Sequence, residues 1–355
     1  MTRIRALGVP LVLLAVLAVV PKLHVDIPVV FNGSLDSPGT LQLLALCLVF
    51  AGVALTYDLL FGFTGLLSFA HALYFAVGVY VADIAMTDWH WSLAASIALT
   101  AGVGLALPLV LGAVSLRVGG IAFAMVTLAF AQAGNVLVQK DPHRLTGGEE
   151  GLGLDYHKLP DAFVGIFNTK NLYWLALGYA AIVFAVSRWA VGSSPGRVWQ
   201  AIRENELRVS VLGLPPHRYK LSAFVLASFL ATAGGVVYLL LIGGATPDVT
   251  TANFTLTLLV MVVIGGAGTT WGAMLGGALY TLLDQRLGAL GGSSHVQSLP
   301  SVIRVPLSEP LFVLGVLFIL VVFLLPGGIA GLRLRRPPSR KRIEEALRPS
   351  AGAAP

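Results

Sequence analysis

Apolar runs close to twenty residues long recur from one end of this chain to the other. That recurrence restricts its fold more than any other feature. A run of this length with almost no charge crosses the hydrocarbon core as a helix, because hydrocarbon offers backbone N–H and C=O groups no partner but each other. A membrane β-barrel would instead show alternating segments of about ten residues. Only 11% of the 355 residues are charged, against about 25% in a soluble domain. The expected fold class is all-α: a polytopic integral membrane protein of about ten transmembrane helices.

Taken in order, Arg3 and Arg5 precede an apolar run from Ala6 to Val20, read as a retained first span. Spans follow at 40–61 and 64–86, separated by a very tight turn at Gly62-Phe63. Asp88-Trp89-His90-Trp91 reads as an interfacial aromatic anchor. Further spans are expected up to Val114, at 119–138, 172–190 and 221–243, with a mixed polar loop at 139–170. Residues 253–285 are broken by Gly265, Gly266 and Gly268 and read as two short spans turning at the glycines. A loop at 286–309, a last span at 310–325 and a basic, Pro-rich tail from Arg333 complete the chain.

One polar interval interrupts this pattern. Residues 192–219 carry Arg197, Arg203, Arg208 and Arg218 together with Glu204 and Glu206. Ser193, Ser194 and Pro195 give a helix start; Gly213, Pro215 and Pro216 give a stop. Val198, Trp199, Ile202, Val209 and Leu212 recur at helical spacing, which predicts one apolar face. With both termini on one side, sixteen of the 23 lysines and arginines share that side with this helix. The positive-inside rule makes it cytoplasmic.

No G-x-x-x-x-G-K-[ST], no dinucleotide fingerprint and no H-E-x-x-H occurs, so uphill transport would draw on an ion gradient or a partner. The single cysteine, Cys47, excludes an intrachain disulfide and a multi-cysteine metal site. Asp83 and Asp284 read as interfacial, and Asp58 as close to the cytoplasmic end of its span; none forms a proton relay. Thr64, Ser68 and His71 fall at i, i+4 and i+7 and are expected on one helix face. They, and Thr127, Gln132 and Asn135 after them, serve either interhelical hydrogen bonding or the lining of a translocation path. Gly268, Gly272 and Gly276 form a doubled G-x-x-x-G suited to close helix packing. Gly62-Phe-Thr-Gly65 and Gly265-Gly-Ala-Gly268 share a spacing, a hint of internal repetition.

FGFTGLLSFAHALYFAVGVY (61–80), TGGEEGLGL (146–154), the segment 196–238, VVIGGAGTTWGAMLGGALY (262–280) and LLPGGIAGL (324–332) together resemble the branched-chain amino acid ABC-transporter permeases of the LivM/LivH type. The resemblance covers most of residues 40–332. It implies a permease domain over 1–332, with 333–355 as a basic cytoplasmic tail. It further implies a bacterial inner-membrane subunit, both termini cytoplasmic, that pairs with a second homologous permease, two ATP-binding subunits and an extracytoplasmic solute-binding protein. ATP and Mg would be used by the partner ATPases, with no cofactor or nucleic acid bound by this chain.

The 192–219 segment would then be the coupling loop. Arg197, Ile202, Arg203, Glu204, Glu206, Leu212 and Gly213 would face the ATPase, with Glu206 and Gly213 at its core. Glu206 precedes Gly213 by seven positions, where other importers have six, and Asp58 stands where the family often has Asn. Urea and short-chain amide permeases share these motifs. An ion-coupled carrier and a passive facilitator are the readings from other classes.

Overall fold

The computed structural model describes residues 16–22, 34–165, 168–291, 309–325 and 327–334. Helix dominates, as a backbone in hydrocarbon requires. The helices are α1 (Pro38–Asp58), α2 (His71–Thr87), α3 (Leu93–Ser115), α4 (Gly120–Lys140), α5 (Thr169–Gly192), α6 (Ser194–Val211), α7 (Pro216–Ile242), α8 (Ala252–Gly265), α9 (Thr270–Gly291), α10 (Pro310–Leu324) and α11 (Gly328–Leu334). Among the described residues, six segments are long and apolar enough to cross a membrane: Pro38–Thr64, Leu93–Ser115, Gly120–Lys140, Thr169–Gly192, Pro216–Ile242 and Leu311–Gly331. His71–Thr87 and Ala252–Gly265 are shorter apolar helices.

The centre is α1, apolar on every side and therefore buried on every side. It packs against α5, α7 and α9, while α2 and α3 lie along α7. Small residues let these helices approach. Gly78 of α2 meets Gly235 of α7 so closely that a Cβ on either would strike a backbone carbonyl of the other helix. Tyr179 of α5 covers Gly52 and Gly234, and its hydroxyl donates to Leu230 O at 3.1 Å. At the periphery the apolar side chains face outward: Phe323 on α10 is 84% exposed and Ile121 on α4 is 81% exposed, the pattern of a lipid-facing or subunit-facing surface.

The loop after α4 is held by Asp141, whose carboxylate accepts from Leu145 N (2.7 Å) and Thr146 N (3.0 Å). Those N–H groups keep its carboxyl below the usual carboxylate range. The loop contains β1 (Leu152–Gly153), which pairs antiparallel with β2 (Gly244–Ala245) beyond α7. This two-residue ladder has no periodic signal in the sequence.

Several expectations need correction. The turn placed at Gly62-Phe63 lies two residues later. Leu59–Thr64 continues α1 as a π-helical turn, and Gly65, at φ +75°, ends it. The span expected at 64–86 therefore starts only at His71, after a non-helical stretch, so Thr64, Ser68 and His71 do not share a helix face. Gly268, at φ +79°, belongs to the turn before α9, and only Gly272 and Gly276 form the packing stripe, against Gly265 and Met261 of α8. The loop expected from 286 does not start there, because α9 continues to Gly291. The division of 253–285 into two helices is as expected. Most of the first span (6–20), much of the 286–309 loop and all but the first residues of the basic tail lie outside the described residues.

Candidate functional site

Two breaks in otherwise helical chain meet beneath α6. The first runs from the π-helical turn to His71; the second joins α8 to α9. Asp58, fully buried, closes them against one another: its Oδ1 accepts from Gly268 N at 2.8 Å. Gly62 stands in the same contact. A Cβ there would overlap the Asp58 carboxylate and Gly268 N, so only glycine fits.

Helix α6 reaches this junction through Arg203. Its Nη1 donates to Gly62 O, lies beside Gly268 and is packed so that its own Cα and Cβ face Gly65. One guanidinium thus touches both breaks. The helix is fixed from the other side by Trp199, buried, whose Nε1 donates to Tyr219 O (2.9 Å) and Ser222 Oγ (3.3 Å) at the start of α7. Its first turn is capped as the sequence suggests, with Ser193 Oγ accepting from Gly196 N.

The predicted apolar face holds for Trp199, Ile202 and Val209, which are buried, but not for Leu212, which is 77% exposed. Leu212 lies just past the helix, which ends at Val211. The helix is also interrupted at Asn205, whose backbone is extended (φ −162°, ψ 102°) and whose Oδ1 accepts from Arg208 N at 3.0 Å, capping a second, short helical piece. Val209, in that second piece, stays on the buried face. Leu207, Val211 and Leu212 are each at least 74% exposed, an apolar patch at the end of a charged helix. Arg197, Glu204 and Arg208 are exposed as well, and Gly213 takes φ +80° as the stop. Glu206 does not stand free: its Oε1 pairs with Lys220 Nζ at 2.6 Å.

The polar residues expected along a path are close to the first break but closed off. Thr64, Ser68, His71 and Thr127 are each at most 2% exposed. Thr127 Oγ1 accepts from Phe69 N (3.0 Å) and donates to Ala124 O (2.9 Å). Thr255, which the sequence reading did not single out, donates to Phe69 O and accepts from Ala72 N, both at 3.1 Å. These two hydroxyls replace the helical hydrogen bonds that the non-helical segment lacks, which is how such backbone persists inside a membrane protein. Thr56 Oγ1 donates to Val53 O (2.7 Å), so its 2.9 Å contact with His71 Nε2 is one in which the ring N–H donates. Asn135, half-buried on α4, accepts from Thr250 Oγ1 at 2.6 Å.

Comparison with known proteins agrees with this architecture. The family described as branched-chain amino acid transport system / permease component matches residues 39–322. The high-affinity branched-chain amino acid transport system permease protein LivM of Escherichia coli K12 is 27% identical over 273 residues, 68% of this chain and 62% of that protein. Its Salmonella typhimurium counterpart is 26% identical over 267 residues, with the same shares covered. The autoinducer 2 import system permease protein LsrC of Klebsiella pneumoniae is 30% identical over 148 residues, 39% of this chain and 41% of that one. The chain thus spans less than two thirds of the length of the LivM relatives. No solved structure matches.

Proposed function

The chain belongs to the branched-chain amino acid transport permease family, and from that premise we propose that it is the permease subunit of an ATP-driven importer for branched-chain or related hydrophobic amino acids. In this reading it catalyses no reaction itself. It works in the inner membrane with a second permease, two ATP-hydrolysing subunits and an extracytoplasmic binding protein, and α6 lies on the cytoplasmic side as the coupling helix. The solute is taken from the names of the LivM relatives.

The observation that carries the mechanism is the Arg203 contact with both helix breaks. A push on α6 from an ATPase would move Arg203, whose guanidinium touches Gly62 and Gly268 and whose stem faces Gly65. The α1–α2 and α8–α9 breaks would then shift as one unit and change which side of the bundle is open. The exposed Leu207, Val211 and Leu212 supply the apolar surface for that ATPase, an arrangement that suits a docking helix better than a solvated loop.

The test is co-purification of the tagged chain from mild detergent with its genomic neighbours co-expressed, together with leucine uptake in cells. The expected result is recovery of an ATPase and a sister permease, with uptake that stops on ATP depletion. Replacing Leu207 and Leu212 by Asp should remove the ATPase from the complex and leave the sister permease bound. Recovery of the chain alone, with uptake abolished by collapsing the ion gradient at normal ATP, would make it an ion-coupled carrier.

A further inference from the structure

A cavity of about 270 Å³ lies at the other end of α9 from the Arg203 junction; from Thr270 to Asp284 that helix rises about 21 Å. Its walls come from four helices and the short turn Pro247–Thr250. Phe50 of α1 and Phe254 of α8 form an aromatic wall, with ring centroids 5.9 Å apart, and Tyr238 of α7 stands edge-on to Phe50 at 6.0 Å. Two carboxylates also line the cavity, Asp248 on the turn and Asp284 on α9. Neither side chain has a hydrogen bond or an ion pair among the described residues, and none of the described lining residues is basic.

An ionisable group among transmembrane helices is costly unless function keeps it there. Asp284, half-buried on α9, is such a group; Asp248, on the turn, is exposed, and the two together line one aromatic-walled space that favours positive charge beside an apolar surface. We propose that this cavity is a recognition site for the transported solute, taking a protonated primary amine between Asp248 and Asp284 and the alkyl side chain of the same molecule against Phe50 and Phe254. The volume is near the low end of small-molecule sites, about 300–1,000 Å³, and fits a single small solute. The proposal rests on the amino-acid importer reading, since a branched-chain amino acid carries both features, and it places recognition at the amine rather than the carboxylate.

The experiment uses the full chain in its assembled complex, with buried Cys47 replaced by Ser and Thr257, which lines the cavity, replaced by Cys. The modification rates of that thiol by a trimethylammonium-bearing and a sulfonate-bearing methanethiosulfonate are compared. A cleft of one charge sign should favour the cationic reagent by about tenfold or more. Asp248→Asn with Asp284→Asn should erase the preference, and Asp284→Glu should keep it, which separates charge from misfolding. Leucine and isopentylamine should slow the modification, whereas 4-methylpentanoate, leucine without its amine, should not. Equal rates with the two reagents, or equal protection by 4-methylpentanoate, would overturn the proposal. Wild-type leucine uptake by the double Asn variant would also overturn it while leaving the importer reading intact. Protection by isopentylamine in a wild-type complex that takes up no leucine would uphold the amine site and overturn the solute assigned above.

Discussion

The two helix breaks that meet under α6 are built in opposite ways. The first is wide: Gly65 and Leu66 still close on Leu60 O and Ala70 N on Ser68 Oγ, but Phe69 between them is held at both its N–H and its C=O by hydroxyls from other helices, Thr127 on α4 and Thr255 on α8. The second is tight. Gly266 and Gly268 take positive φ, Thr269 Oγ1 donates back to Gly266 O at 2.6 Å, and among the described residues the distant side chain that accepts from it is Asp58. A break that satisfies itself moves as a unit. A break satisfied by its neighbours holds several helices in register and must exchange those bonds to change shape. The wide break is therefore the element with two arrangements available to it, and the tight one is the lever beside it.

The largest effect should come where the two breaks touch. Gly62→Ala forces a methyl into the Asp58 carboxylate and Gly268 N. Overpacking a rigid contact costs roughly 1–3 kcal/mol, and more where backbone cannot yield, so folded protein recovered in detergent should fall sharply. Gly102→Ala is the control, since nothing lies within 4 Å of that position; there alanine should be neutral or stabilising by about 0.5–1 kcal/mol. Equal yields for the two variants would mean that the junction is loose and the two breaks are not in contact.

Next come the hydroxyls. Thr255→Val keeps the shape and strands both Phe69 O and Ala72 N, at a cost of about 1–3 kcal/mol for buried backbone groups left unpaired. Thr269→Val removes one local bond of the tight break and should cost about 0.5–1.5 kcal/mol. Thermal unfolding of the purified complexes measures both. Should Thr269→Val prove the more damaging, the contrast between a neighbour-held and a self-held break would be reversed.

Much of this was legible in the sequence, and the misses have physical causes. The start and stop of α6 are written in Ser193, Pro195 and Gly213, because caps act locally. The glycines of 62–65 announce a break but not which of them turns left-handed: Gly62 is needed for space and Gly65 for its φ, and one letter serves both demands. The buried set of α6 was read correctly for Trp199, Ile202 and Val209 and failed at Leu212, because the helix ends at Val211 and the apolar spacing carries on one residue past it. Thr255 is one threonine among many; its importance lies in facing Phe69, a contact across more than half the chain. Arg203 looks like the other arginines of its helix because its partner is a backbone carbonyl, which carries no side-chain signature.

Arg203 gives the smallest expected effect on stability and the sharpest one on the comparison. The residue is exposed overall, and each break keeps its own hydrogen bonds without it, so Arg203→Gln should change thermal stability by no more than about 1 kcal/mol. If α6 drives the breaks through this side chain, the same variant should lose leucine uptake while the ATPases stay bound and keep hydrolysing ATP, because docking uses Leu207, Val211 and Leu212 instead. Lysine at 203 should restore uptake only in part: it can reach Gly62 O as a point donor but lacks the planar fork that spans toward Gly268. Uptake unchanged in Arg203→Gln would mean that force passes through the Trp199 contact with α7 instead, and the wide break would then be moved from the α7 side, without the tight one.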